Sequence, residues 1–124
     1  LDLDIHNPDA KHIAKQAALT PQERGSFSNL LTTTGFIDAF RFFHPEAKGQ
    51  FSYWSTRLSA RRINRGLRLD YFIASPELFT ELPPSDKSSS IEHNCPRIVD
   101  SNILHEETLG VSDHCPILLV LKLK

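Results

Sequence analysis

Arg68-Leu69-Asp70-Tyr71-Phe72-Ile73-Ala74 is a dense apolar and aromatic run with one carboxylate in its middle. That density predicts a strand covered on both faces. A carboxylate inside such a run is costly unless it is paired or hydrogen-bonded. Asp70 therefore either sits at a sheet edge, where charge is common, or holds a partner. The second conspicuous stretch is Ser112-Asp113-His114-Cys115-Pro116, inside a turn-rich segment that leads into a final apolar strand, Ile117 to Leu123. Adjacent Asp and His can simply close a turn. A loop at a strand end is also where reactive groups are commonly placed, and histidine exchanges protons near neutral pH.

Working outward, Arg57, Arg61, Arg62, Arg65 and Arg68 follow one another with no acidic residue between them. Such a run is either a solvated face or a surface for an anionic partner. Arginine binds phosphate oxygens through two parallel hydrogen bonds. Two strand-associated acids, one histidine and an arginine-rich loop together make a phosphate-cleaving constellation. In it Asp113 could position a divalent cation, directly or through water, because hard cations take oxygen ligands.

The remaining elements follow from local chemistry. Thr20 can cap a helix, Pro21 suits its first position, and Glu23 completes a capping box. Phe27, Leu30 and Leu31 then share a face, and Gly35 is a natural stop. Phe36 to Phe43 reads as a short helix or a packed irregular segment, closed by His44-Pro45. Phe51-Ser52-Tyr53-Trp54 reads as an aromatic strand, and the arginine-rich stretch to Gly66 as a loop. Ser75-Pro76 starts a turn or short helix. Pro83 to Ser90 is a flexible linker by composition, and Ile98 to Leu104 holds a short strand.

Composition sets the frame. A chain of 124 residues, 40% hydrophobic and 23% charged, is an ordinary single globular domain. Its longest apolar run, Ile117 to Leu121, is far short of the ~20 residues needed to cross a bilayer. The first residues are acidic and polar, so no signal peptide is expected. The net charge of −1 announces no nucleic acid by itself. Two cysteines, Cys95 and Cys115, make no disulfide framework, and His93 beside Cys95 lacks a partner pair at zinc-ligand spacing.

Taken in order, these segments resemble one family. Thr20-Pro21-Gln22-Glu23-Arg24 is similar to the T-P-Q-E-R helix start of exonuclease III-type apurinic/apyrimidinic endonucleases. Phe51-Ser52-Tyr53-Trp54 resembles their F-x-x-W strand, Arg68-Leu69-Asp70-Tyr71-Phe72 their R-L-D-Y-F motif, and Ser112-Asp113-His114-Cys115-Pro116 their S-D-H-C-P signature. Leu3-Asp4-Ile5-His6-Asn7-Pro8 is similar to an I-D-x-x-N-P stretch. The resemblance implies an α+β chain forming half of a DNase I-like four-layer α/β/β/α sandwich. Residues 1–124 would be its C-terminal half, with a flexible insertion at 83–108.

The resemblance also implies roles. His114 would contact the scissile phosphate as general base or acid, Asp70 would orient it, and Asp113 would assist a metal, magnesium or else manganese. Tyr53, Leu67 and Leu69 would line the pocket for an abasic sugar. Leu67 stands where relatives often carry tryptophan. Asn64 would make a polar contact near the phosphate, Arg57 would insert into the DNA, and Arg61 and Arg62 would lie on the same DNA-facing loop. The substrate would be double-stranded DNA with abasic sites. The compartment would be nuclear or mitochondrial in a eukaryote and cytoplasmic otherwise. The family's metal-binding glutamate, catalytic tyrosine and G-D-x-N motif belong to an N-terminal half that these segments do not match. The 124 residues alone are therefore expected to be inactive, with an apolar sheet face left for that half or another chain. Two other readings stay open: a phosphatase or retroelement-type endonuclease of the same superfamily, and a non-catalytic DNA-binding or interaction fragment.

Overall fold

A computed structural model describes residues 17–79 and 96–123. The I-D-x-x-N-P stretch, the Pro83 to Ser90 linker, His93 and Cys95 lie outside the described residues. Helix α1 is Pro21–Thr34. Its start follows the capping-box expectation: the Thr20 hydroxyl accepts from the Glu23 amide, and the Glu23 carboxylate accepts from the Thr20 amide at 3.0 Å. The hydrogen bonds from Thr20 hold the Glu23 carboxyl below the usual range. Gly35 ends the helix with φ 70, a left-handed turn that a side chain would resist. The apolar face is thinly covered. Phe27 stacks on Tyr71 with ring centroids 4.7 Å apart, while Leu30 is 48% exposed.

Strand β1, Ile37–Asp38, leads into the short helix α2, Ala39–Phe43, whose first turn is capped by the Asp38 carboxylate accepting from the Arg41 amide. Strand β2, Ile73–Ala74, pairs antiparallel with β1. Strands β3, Arg97–Ile103, and β4, Ile117–Lys122, form a second antiparallel pair. A bulge at Val99 shifts the register between Ile98 and Asp100. The chain is thus a small α+β structure with two short sheets.

The strand expected over Ile98 to Leu104 is present as Arg97–Ile103, with Ile98 and Ile103 buried. Two other expectations change. Arg68 to Ala74 keeps strand pairing only at Ile73–Ala74. The amides of Leu69 and Asp70 leave the ladder and donate to the Ser52 hydroxyl at 3.0 and 3.1 Å. Phe51 to Trp54 is not a strand either. Tyr53 alone bridges, to Leu67 on one side and His114 on the other.

Among the described residues, two clusters of buried side chains stand out. Phe40, Phe51, Trp54, Ala60, Ile103 and Cys115 form one, and Ala39, Phe79 and Ile98 the other, with Phe72 and Leu119 packed against it. Gly66 lies against Trp54 so closely that a Cβ there would sit 2.6 Å from the indole nitrogen, and the backbone cannot give way. Between the clusters runs a buried ion pair. Arg68 donates to both Asp38 oxygens, at 2.7 and 3.0 Å, with side chains 4% and 8% exposed. Its guanidinium also lies over the rings of Tyr71 and Phe40. Removing one partner of such a pair strands a buried charge, a cost of about 3–5 kcal/mol. Arg68→Ala and Asp38→Ala should each lower unfolding free energy by that order in a urea titration, and the double variant should cost less than the sum of the two.

Candidate active site

Asp70 and His114 are 44 residues apart in sequence and meet in space. The Asp70 Oδ2 lies 2.8 Å from the His114 Nδ1, and each side chain is part-exposed, 39% and 43%. A carboxylate can only accept. His114 therefore donates from Nδ1, and Nε2 is left to take or give a proton to something else. The Tyr53 ring sits over the imidazole with centroids 5.0 Å apart. Three local causes converge on this geometry. The Tyr53 amide donates to the Leu67 carbonyl and the Leu67 amide to the Tyr53 carbonyl, at 3.0 and 2.9 Å. The Trp54 amide donates to the Asp113 carbonyl at 2.8 Å, and the Cys115 amide to the Ser52 carbonyl at 2.9 Å. Thr108 Oγ1 donates to the His114 carbonyl at 2.5 Å.

Of the residues expected to face DNA, Arg57 and Arg62 are exposed, Tyr53 and Leu69 are half-buried, and Leu67 is buried at 7%. Arg61 and Asn64 are both held by neighbouring loops. The Arg61 guanidinium turns inward. Its Nη2 donates to the carbonyls of His105 and Glu107 at 2.8 and 2.7 Å, and its Nη1 to those of Thr108 and Ser112 at 3.2 and 3.0 Å. It also stacks on Trp54, 4.6 Å from the ring centroid. Five planar donors can satisfy several carbonyls of one curled loop at once, which a flexible ammonium cannot. The Asn64 amide is likewise occupied: its oxygen accepts from the Trp54 indole at 3.1 Å and its nitrogen donates to the Gly49 carbonyl at 3.0 Å. Both residues shape the loops around the pair, with Asn64 exposed and Arg61 lining a groove beside it.

An open groove of about 540 Å³ lies beside this loop, with Trp54, Ser55, Thr56, Arg62, Ser112 and Asp113 among its walls. Asp113 is exposed at its rim. Among the described residues no group of three or more His, Cys, Asp or Glu side chains could hold a metal ion. Asp113 is the one carboxylate among the groove's walls, and the described residues do not by themselves fit a magnesium site. Sequence reasoning missed Ser52, Asp38 and Thr108. Ser52 did carry a signal, as a hydroxyl among aromatic residues poses the same question of a partner that Asp70 does.

Two groups nearby, buried Cys115 and half-buried His105, are shifted from their ordinary values. Burial pushes the Cys115 thiol up, away from its reactive form. Burial also pushes the His105 imidazole down, with Glu106 opposing and Arg61 reinforcing the shift.

No protein-family model matches the chain. It is 32% identical over 122 residues to an exodeoxyribonuclease of Bacillus subtilis, covering 98% of this chain and 40% of that protein. It is 36% identical over 120 residues to the DNA repair nuclease APEX1 of Danio rerio, covering 97% and 32%. The structure superimposes on the AP endonuclease LMAP from Leishmania major with a TM-score of 0.67 and 31% identity, over 88% of this chain and 27% of that one. The fold is thus part of the AP endonuclease fold. The chain is homologous to the exonuclease III-type AP endonucleases, and it spans well under half the length of these relatives. Among the described residues no helix is long and apolar enough to cross a membrane.

Two measurements check this site. Arg61→Lys removes the planar fork, so the amides of Val111 and Ser112, both bonded to Thr108, should exchange with solvent roughly tenfold faster, the equivalent of losing about one such hydrogen bond. Amide exchange read by NMR would show it. For His105 the folded imidazole resists protonation, so its contribution to stability is complete above the unfolded value of about 6.5 and is lost as pH falls below it. His105→Gln should flatten the fall in stability on acidification through that window, in urea titrations at a series of pH values.

Proposed function

We propose that this chain supplies the Asp70–His114 half of a DNA-repair endonuclease site, which hydrolyses the phosphodiester 5′ to an abasic site and leaves a 3′-hydroxyl. The observation that carries the reading is the 2.8 Å contact between Asp70 and His114 beside a loop with exposed Arg57 and Arg62. Asp70 fixes the imidazole tautomer and stabilises its protonated form. His114 Nε2 meets the scissile phosphate or the attacking water as general acid or base, a role worth about 10²–10⁴-fold in rate. Arg57 inserts into the DNA and Arg62 holds its backbone, so affinity falls with salt. The abasic sugar turns out of the duplex against Tyr53, Leu67 and Leu69, at little cost because no base pair is lost there. Asp113 would offer a magnesium or manganese ion one carboxylate. The other ligands, and the rest of a sandwich that 1–124 would complete as its C-terminal half, would come from an N-terminal half. The double-stranded substrate places the activity with DNA, in nucleus, mitochondrion or bacterial cytoplasm.

A second reading is a non-catalytic DNA-binding chain, favoured by the single carboxylate at the groove rim. The test compares an abasic duplex with an intact one, in magnesium and in chelator. It uses the 124-residue chain and the same chain with the family's N-terminal half fused ahead of Leu1. Cleavage only of the abasic duplex, only by the fused chain, and reduced about 10²–10⁴-fold by His114→Ala is the expected result. Salt-dependent binding with no cleavage by either form would favour the second reading. Cleavage by the 124 residues alone would contradict the assignment of the metal ligands to another half.

A further inference from the structure

We infer that Ser52 is the positioning residue of the Asp70–His114 pair, setting the separation of the two side chains through the backbone segments that carry them. Ser52 is fully buried, at 0% exposure. Its hydroxyl oxygen accepts from the amides of both Leu69 and Asp70, at 3.0 and 3.1 Å. Its carbonyl accepts from the amide of Cys115, the residue after His114, at 2.9 Å. Its own amide donates to the Leu67 carbonyl at 3.0 Å. One residue therefore holds the backbone at Asp70 and the backbone just past His114, and the 2.8 Å carboxylate–imidazole bond closes across that junction.

The chemistry requires a hydroxyl. At Leu69 the chain has left its ladder, so two adjacent amides point to the same place with no carbonyl opposite them. A serine oxygen has two lone pairs and takes both. Alanine offers none. Cysteine is close in shape, but its sulfur is a weak acceptor at longer range. Either change leaves two donors without a proper partner, and the Asp70 backbone is then free to drift. A hydrogen bond to an imidazole weakens steeply over a few tenths of an ångström and a few tens of degrees. Drift at Asp70 therefore releases His114 without touching either side chain.

The inference rests on Asp70 and His114 being the reacting pair, but its test involves no DNA. In a uniformly ¹⁵N-labelled chain, long-range proton–nitrogen correlations report the tautomer of each histidine at a pH where the rings are neutral. The His114 signal is assigned by its loss in His114→Gln, and Asp70→Asn gives the signature of a released ring. In wild type His114 should be the Nδ1–H tautomer. In Ser52→Ala, or Ser52→Cys if the alanine variant does not fold, His114 should become a mixture of tautomers. The Leu69 and Asp70 amides should exchange about tenfold faster or more, while the Tyr53 and Leu67 amides, each donating to the other residue's carbonyl, keep their rates. Ile98→Val, a mild loss in the other core cluster, should leave the tautomer alone. A folded Ser52 variant with His114 still wholly Nδ1–H overturns the proposal, and so does Ile98→Val moving the tautomer as far as Ser52→Ala. Failure of the cleavage assay with an intact Ser52 effect would remove the endonuclease reading and leave the positioning role standing.

Discussion

The structure turns on one buried charge pair. Arg68 and Asp38 lie 30 residues apart and are joined by two short hydrogen bonds with almost no solvent access. Taking two ions out of water is costly, and their attraction offsets the cost only when the geometry is good and the remaining donors are used. Here the geometry is a fork against a carboxylate. The guanidinium is also stacked over two rings, and the Tyr71 hydroxyl donates to the Arg68 carbonyl. The pair matters because of where it sits. Asp38 ends β1 and caps α2, and Arg68 stands between Leu67, which bridges to Tyr53, and Asp70. A two-stranded sheet is marginal alone. The pair ties the β1–β2 sheet to the segment that carries Asp70.

Much of this was legible where one stretch of chain determines its own structure. The cap at Thr20, the proline after it, the stop at Gly35 and the final apolar strand all depend on neighbours within four residues, and the structure has them. The failures occur where a distant partner decides. Arg68 to Ala74 has the composition of a strand, yet the amides of Leu69 and Asp70 bond to a serine hydroxyl 17 and 18 residues upstream. Nothing within the run could reveal that. The pairing of Asp70 with His114 was likewise invisible to periodicity. It emerged from the order of several short motifs, because such an order reflects a fold, while each motif alone reflects only a turn or a strand.

The arginines show the same limit more sharply. Arg61 and Arg62 are adjacent, equally charged and flanked by no acid. A charge pattern treats them as one feature. In the structure Ala60 is buried against Trp54, which directs Arg61 over the indole and into the loop carbonyls, and the next residue points to solvent. The loop ending in Ser112 has carbonyls from His105, Glu107, Thr108 and Ser112 that turn toward one place. Carbonyls gathered this way need donors, and the Arg61 guanidinium donates to all four. Its charge is used to build the site.

That division of labour bears on how a basic loop binds DNA at all. Phosphate contacts add affinity only if the loop that presents them is already ordered, since ordering it on binding would cost free energy for every immobilised residue. Arg61 and Asn64 order the loop from inside, through Trp54, Gly49 and the 105–112 segment. Arg57 and Arg62 are then left at the surface on a fixed support. An inward arginine thus raises the value that an outward one would have to an anionic partner.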